Sequence, residues 1–153
     1  MSPAHSTPLP VILIVEDDDG HAILIRQNLE ESGLANPMLH LRNGQEALDF
    51  LYRRHADPRA NRDPDKSYLL LLDIRMPKID GIEVLRQVKG DPELRSLPVI
   101  MLTTTDDSRE VEKCYGLGCS AYLRKPLNYE KFIAAIRCLG LFIGVIQIPS
   151  PQP

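Results

Sequence analysis

The sequence has no excess of positive charge, no long apolar run, no paired set of cysteines and no glycine-rich phosphate loop. Each absence removes a class of function. Across 153 residues, 18 Lys and Arg meet 21 Asp and Glu, a formal net charge of −3. A nucleic-acid reader usually carries a basic stripe, so that class is set aside. The most apolar late stretch, CLGLFIGVIQI, has only 11 residues, too few to cross a bilayer. The first ten residues lack a basic segment leading into an apolar one, so no secretion signal is expected. Cys114, Cys119 and Cys138 are an odd number without zinc-type spacing, which reads as free thiols in a reducing, cytoplasmic setting. His5, His21, His40 and His55 show no metal-ligand spacing. No internal repeat and no low-complexity linker is found.

What is present is an alternation. Apolar runs at Val11–Val15, Met38–Leu41, Tyr68–Leu72, Val99–Leu102 and Ala121–Leu123 read as strands, several buried on both faces. Between them lie amphipathic segments beginning near Asp18, Gly44, Gly81, Asp107 and Asn128. Five strands alternating with five helices predict a doubly wound α/β fold on a parallel sheet. Ligands of such sheets bind outside the carboxyl ends of the strands. Two stretches break the rhythm. RRHADPRANRDPDK, Arg53 to Lys66, is polar and holds two prolines, so it reads as a long surface loop. FIGVIQIPSPQP is apolar and then proline-rich.

The strand ends carry the chemistry. The first apolar run stops at four consecutive carboxylates, Glu16, Asp17, Asp18 and Asp19. Two unit charges 4 Å apart repel by roughly 4 kcal/mol at an effective dielectric near 20, so a counter-charge is expected there. The third strand ends at Asp73, the fourth at Thr103 and the fifth at Lys125. A parallel sheet opens all these ends on one edge. Lys125 is one counter-charge, and a hard cation such as Mg²⁺, which takes carboxylate oxygens and keeps several waters, is the natural other. Metal-binding acids, an Asp, a hydroxyl and a lysine suit phosphoryl transfer, in which an Asp can itself accept the group. Asp18 and Asp19 read as capping or first-turn acids of the first helix.

The segments ILIVEDDDG, LLLLDIRMPKIDG, PVIMLTTTDD and AYLRKP, in that order, resemble a response-regulator receiver domain of two-component signalling. The resemblance implies a (βα)5 flavodoxin-like sheet of strand order 2-1-3-4-5 over residues 9–139. Residues 1–8 are then a disordered N-terminus and residues 140–153 an apolar extension. It implies Asp73 as phospho-acceptor. Glu16, Asp17, Asp73 and the backbone carbonyl of Arg75 become metal ligands for Mg²⁺, with Mn²⁺ or Ca²⁺ as substitutes. Thr103, Lys125 and the Thr104 backbone bind the phosphoryl group, Thr103 and Tyr122 form the switch, and Pro126 follows a cis peptide bond. The partners implied are a histidine kinase that docks on the first helix, where Ile23 and Leu24 are assigned to contact, and a downstream phosphotransfer or effector protein. No turnover enzyme is implied, only slow self-catalysed phosphotransfer and autodephosphorylation.

The long loop and the apolar tail are similar to those of small regulators paired with phytochrome-type kinases. Phe142, Ile143, Val145, Ile146 and Ile148 of the tail would expose a large apolar patch, so a homodimer is expected to cover it. Two alternatives remain. A haloacid-dehalogenase-like phosphatase would carry a second Asp two residues after its nucleophile, where this chain has Arg75. A non-phosphorylated adaptor would not need every functional side chain. An EF-hand fails on spacing: with Gly20 as the loop glycine, Val15 stands first and Arg26 last.

Overall fold

In a computed structural model, which describes residues 8–105 and 107–145, the chain alternates strand and helix as its pattern predicts. The strands are β1 (Val11–Val15), β2 (Met38–Leu41), β3 (Tyr68–Leu72), β4 (Val99–Thr103) and β5 (Ala121–Arg124). The helices are α1 (Asp19–Glu31), α2 (Gly44–Leu51), α3 (Gly81–Gly90), α4 (Ser108–Leu117) and α5 (Tyr129–Ile143), with a 3₁₀ turn at Pro58–Ala60. The five strands are parallel in the order β2-β1-β3-β4-β5. Expectations for residues 1–7, and for Ile146 and Ile148, fall outside the described residues.

Local chemistry fixes where each helix starts. Asp18, Asn43, Asp80, Asp107 and Asn128 each stand at an N-cap and accept a hydrogen bond from a backbone N–H of the first turn. Such a side chain satisfies one of the donors that a helix start leaves unpaired, worth about 1 kcal/mol against alanine. Asp18 and Asp19 thus serve α1 as cap and first-turn acid.

Alternation along the strands then divides the core in two. Leu13, Val15, Leu70, Leu72, Val99 and Met101 face α2, α3 and α4. Ile12, Ile14, Leu69, Leu71, Ile100 and Leu102 face α1 and α5. Every residue of β3 and β4 is buried. Covering both faces leaves only the strand ends open to a polar ligand.

The long loop is anchored, not free. Arg62 is 9% exposed; its Nε donates to the Leu51 carbonyl at 3.0 Å and its backbone N–H to the Phe50 carbonyl at 2.9 Å. Asn61 and His55 exchange two hydrogen bonds across the loop.

Candidate phospho-acceptor and metal site

Glu16, Asp73 and Lys125 each lie just past the end of a strand, yet each remains tied to the neighbouring strand through its backbone. The Glu16 N–H donates to the Leu41 carbonyl at 3.0 Å, that of Asp73 to Val15 at 3.1 Å and that of Lys125 to Thr103 at 2.6 Å. The sheet ladder therefore sets three ionisable side chains with the precision of a strand. Gly81 completes the frame. A Cβ there would stand 2.0 Å from the Asp73 carbonyl oxygen, so only glycine lets α3 close against the backbone of Asp73.

These side chains converge. Lys125 Nζ donates to Glu16 Oε2 at 2.5 Å and lies 3.5 Å from Asp73 Oδ2. All three residues are buried: Lys125 and Glu16 are 2% exposed and Asp73 is 7% exposed. Ligand oxygens of Glu16, Asp17 and Asp73 lie within 4.8 Å of one another, with Asp17 on the exposed side. One lysine thus faces a cluster of three carboxylates. Burial pushes the Glu16 carboxyl up to about 7; the charge and hydrogen bond of Lys125 oppose that rise and the charge of Asp73 adds to it. An all-oxygen donor set with surplus negative charge and one exposed acid is suited to a hard divalent cation.

Thr103 adds the second signal. It is fully buried, and its Oγ1 is one of two buried side-chain atoms among the described residues with no hydrogen-bond partner; the other is Glu110 Oε2. An unsatisfied buried hydroxyl costs about 1–3 kcal/mol. An incoming oxyanion would satisfy it.

The remaining expected positions separate into groups. Thr104 is exposed. The Arg75 side chain pairs with Glu110 of α4 at 3.1 Å. Tyr122 is half-buried against α4; its hydroxyl donates to the Thr105 carbonyl at 3.0 Å, and burial pushes it up to about 12. Ile23 is exposed, whereas Leu24 packs against the core between α1 and α5.

Two expectations are corrected. The bond before Pro126 is trans, as no cis peptide occurs among the described residues. Lys125 is aimed inward by its backbone bond to Thr103 and by the acids it meets, so no isomer is needed, and trans is the lower-energy default for X–Pro. Ile143 is not part of an exposed patch. It is 5% exposed and packs in the core with Phe132, Ile136 and Leu139, because α5 continues to Ile143. Phe142 and Val145 are exposed.

Sequence reasoning passed over His21. Its Nδ1 lies 3.3 Å from Lys125 Nζ and 3.9 Å from Glu16 Oε1, and its ring lies 5.7 Å from that of Phe132. Its place three residues after the cap Asp18 was the available signal, since that turn faces the strand ends.

Comparison with known proteins agrees with this geometry. The family described as "Response regulator receiver domain" matches residues 12–137. Among curated relatives, the probable methanogenesis regulatory protein FilR2 of Methanothrix harundinacea is 38% identical, covering 92% of this chain and 88% of its own. Response regulator Rcp1 of Synechocystis is 34% identical, covering 95% and 97%. A solved receiver domain from Rhodospirillum rubrum superposes with a TM-score of 0.85 at 42% identity, covering 94% of this chain and 99% of that one. The phosphorylated cyanobacterial phytochrome response regulator RcpA gives 0.81 at 30% identity, covering 93% and 99%. With the sheet order and the converging strand ends already described, these matches leave one assignment: the chain belongs to the response regulator receiver family.

Proposed function

We propose that the protein accepts a phosphoryl group from a histidine kinase onto Asp73 and signals by repacking the face made by α4, β5 and α5. The observation that carries this reading is the buried meeting of Asp73, Glu16 and Lys125 at the strand ends; Thr103, whose hydroxyl is unpartnered, ends the adjacent strand β4. An Asp73 carboxylate oxygen attacks phosphorus, forming an acyl phosphate as the bond from phosphorus to the donor breaks. Glu16, Asp17 and Asp73, with the Arg75 carbonyl, would hold Mg²⁺, which when bound neutralises phosphoryl oxygens. Lys125 pairs with another of those oxygens and Thr103 donates its hydroxyl to a third, with the Thr104 backbone alongside. Phosphorylation brings about −1.5 to −2 charges at neutral pH. Thr103 moves toward them, and Tyr122 gives up its bond to Thr105 for the space vacated. The outcome is a population shift between two packings.

The test is intact mass after treatment with acetyl phosphate. One phosphoryl group should appear on the wild type with Mg²⁺, and none without Mg²⁺ or in Asp73→Asn. Labelling of Asp73→Asn at the wild-type level would overturn the assignment.

Likeness to RcpA, a cyanobacterial phytochrome response regulator, supports a phytochrome-type sensor kinase as the donor. Ile23, exposed on α1, supports kinase docking there, with Leu24 beside it. Ile23→Glu should abolish transfer from the kinase and spare labelling by acetyl phosphate; retained transfer would contradict docking, and loss of both would indicate a damaged fold. Exposed Leu141, Phe142 and Val145 support a homodimer, for which Phe142→Glu should halve the solution mass. Because Ile143 belongs to the core, truncating the helix before it would confuse folding with assembly.

A further inference from the structure

Lys125 is an ammonium withdrawn from water, so its three N–H donors need three acceptors. The sheet edge supplies Glu16 Oε2 and Asp73 Oδ2. The third comes from elsewhere: His21 Nδ1, 3.3 Å from Nζ. An ammonium only donates, so Nδ1 accepts and the ring proton sits on Nε2. The ring is itself held, since the His21 N–H donates to the cap Asp18 at 3.0 Å and the imidazole lies against Phe132 of α5. Its side chain is 41% exposed while Lys125 is 2% exposed, so His21 forms the outer wall of the lysine pocket.

We infer that His21 is a positioning residue: by taking one N–H of Lys125 it aims the other two at Glu16 Oε2 and Asp73 Oδ2. It reaches the phosphoryl group only through the lysine. The inference rests on the receiver reading of Asp73 and adds to it a residue of the first turn of α1. Of the three acceptors, His21 is the one that neither binds the metal nor takes the phosphoryl group. It therefore keeps the ammonium oriented whether or not metal and phosphoryl group are bound.

Two substitutions separate the ring from the acceptor. His21→Phe keeps the contact with Phe132 and loses Nδ1; His21→Asn keeps an acceptor oxygen near the place of Nδ1 and loses the ring. With acetyl phosphate and saturating Mg²⁺, the initial rate of phosphoryl gain should fall about tenfold in His21→Phe, the scale of one hydrogen bond to a charged group. His21→Asn should recover most of that loss. Thermal midpoints should follow the opposite order, with the phenylalanine variant nearer the wild type. In the untreated wild type, long-range ¹H–¹⁵N NMR should find the imidazole proton on Nε2. A rate that follows the ring instead of the acceptor, a rate equal in all three proteins, or a proton on Nδ1 would each overturn the inference. Failure of the wild type itself to gain phosphoryl would instead strike at the Asp73 reading, and the NMR result would still test the His21–Lys125 bond.

Discussion

Lys125 and Arg62 are both cations withdrawn from solvent, at opposite ends of the sheet, and they are kept in opposite ways. Arg62 lies near the residues that begin β1 and β3, Val11 and Tyr68. Its guanidinium donates to the Leu51 carbonyl and, at 3.4 Å, to Glu93, whose own side chain is 69% exposed. A peptide carbonyl and a solvated acid form a settled arrangement that staples the long loop to the end of α2. Lys125 instead meets two buried carboxylates and an imidazole, with a third carboxylate nearby, and its backbone N–H bonds to Thr103, whose hydroxyl is buried without a partner. That end carries more carboxylates than its one lysine balances, a surplus a divalent cation would offset. Burial of a charge is therefore no sign of function; the partners decide.

The comparison breaks most easily at Lys125. Lys125→Met keeps much of the volume and removes the charge, so phosphoryl gain from acetyl phosphate should fall about a thousandfold, as when a donor to a developing oxyanion is lost. Intact mass against time measures it; a fall of less than tenfold would put Lys125 on a par with Arg62.

Next in size is the pH response of the metal-free protein. The folded state raises the Glu16 carboxyl from 4.5 to about 7, first through burial. The native state then holds that proton more tightly than the unfolded chain. The associated stability is fully present below about pH 4.5 and is lost as pH rises through about 7, up to about 3 kcal/mol. Urea unfolding in EDTA should show this decline in the wild type and a flatter profile in Glu16→Gln. Equal profiles would mean that Glu16 is not the acid responsible.

At the other end, Arg62→Met should cost about 2 kcal/mol, because the Leu51 carbonyl loses its buried donor. Phosphoryl gain should remain within about twofold of wild type, since removing a carbonyl's partner outside the site changes stability and not transition-state binding. A large loss of labelling would erase the distinction between the two ends.

The difference between the ends also marks what the sequence made legible. Strands and helix starts were readable because apolar runs of strand length end at Asp or Asn caps, and both signals are local. Glu16, Asp73, Thr103 and Lys125 were readable because a parallel sheet gathers its strand ends, so one topological inference placed all four. His21 and Arg62 were not, since each acts through partners that the chain pattern does not specify. His21 reaches a lysine 104 residues away, and Arg62 reaches a carbonyl at the end of a helix. The bond before Pro126 lay beyond local reading because cis and trans differ by only about 0.5–1 kcal/mol, so tertiary contacts choose. Ile143 was legible and overlooked: Phe132, Ile136, Leu139 and Ile143 repeat at helical spacing, and that stripe carries α5 to its last residue.

The smallest expected effect separates stability from function at one atom. Thr103 Oγ1 is buried without a partner, so Thr103→Val keeps the shape and removes an unsatisfied polar group. The unphosphorylated protein should gain about 1 kcal/mol, because deleting a group that already lacks its bond removes a desolvation cost and breaks nothing. On the proposed reading the same substitution also removes a donor to the phosphoryl oxygens, so labelling should slow even as the thermal midpoint rises. No substitution at Arg62 is expected to show that opposition, because its guanidinium already has partners. If Thr103→Val instead lowers the midpoint, the hydroxyl is satisfied in the resting protein, and the site's incompleteness then rests on its carboxylates alone.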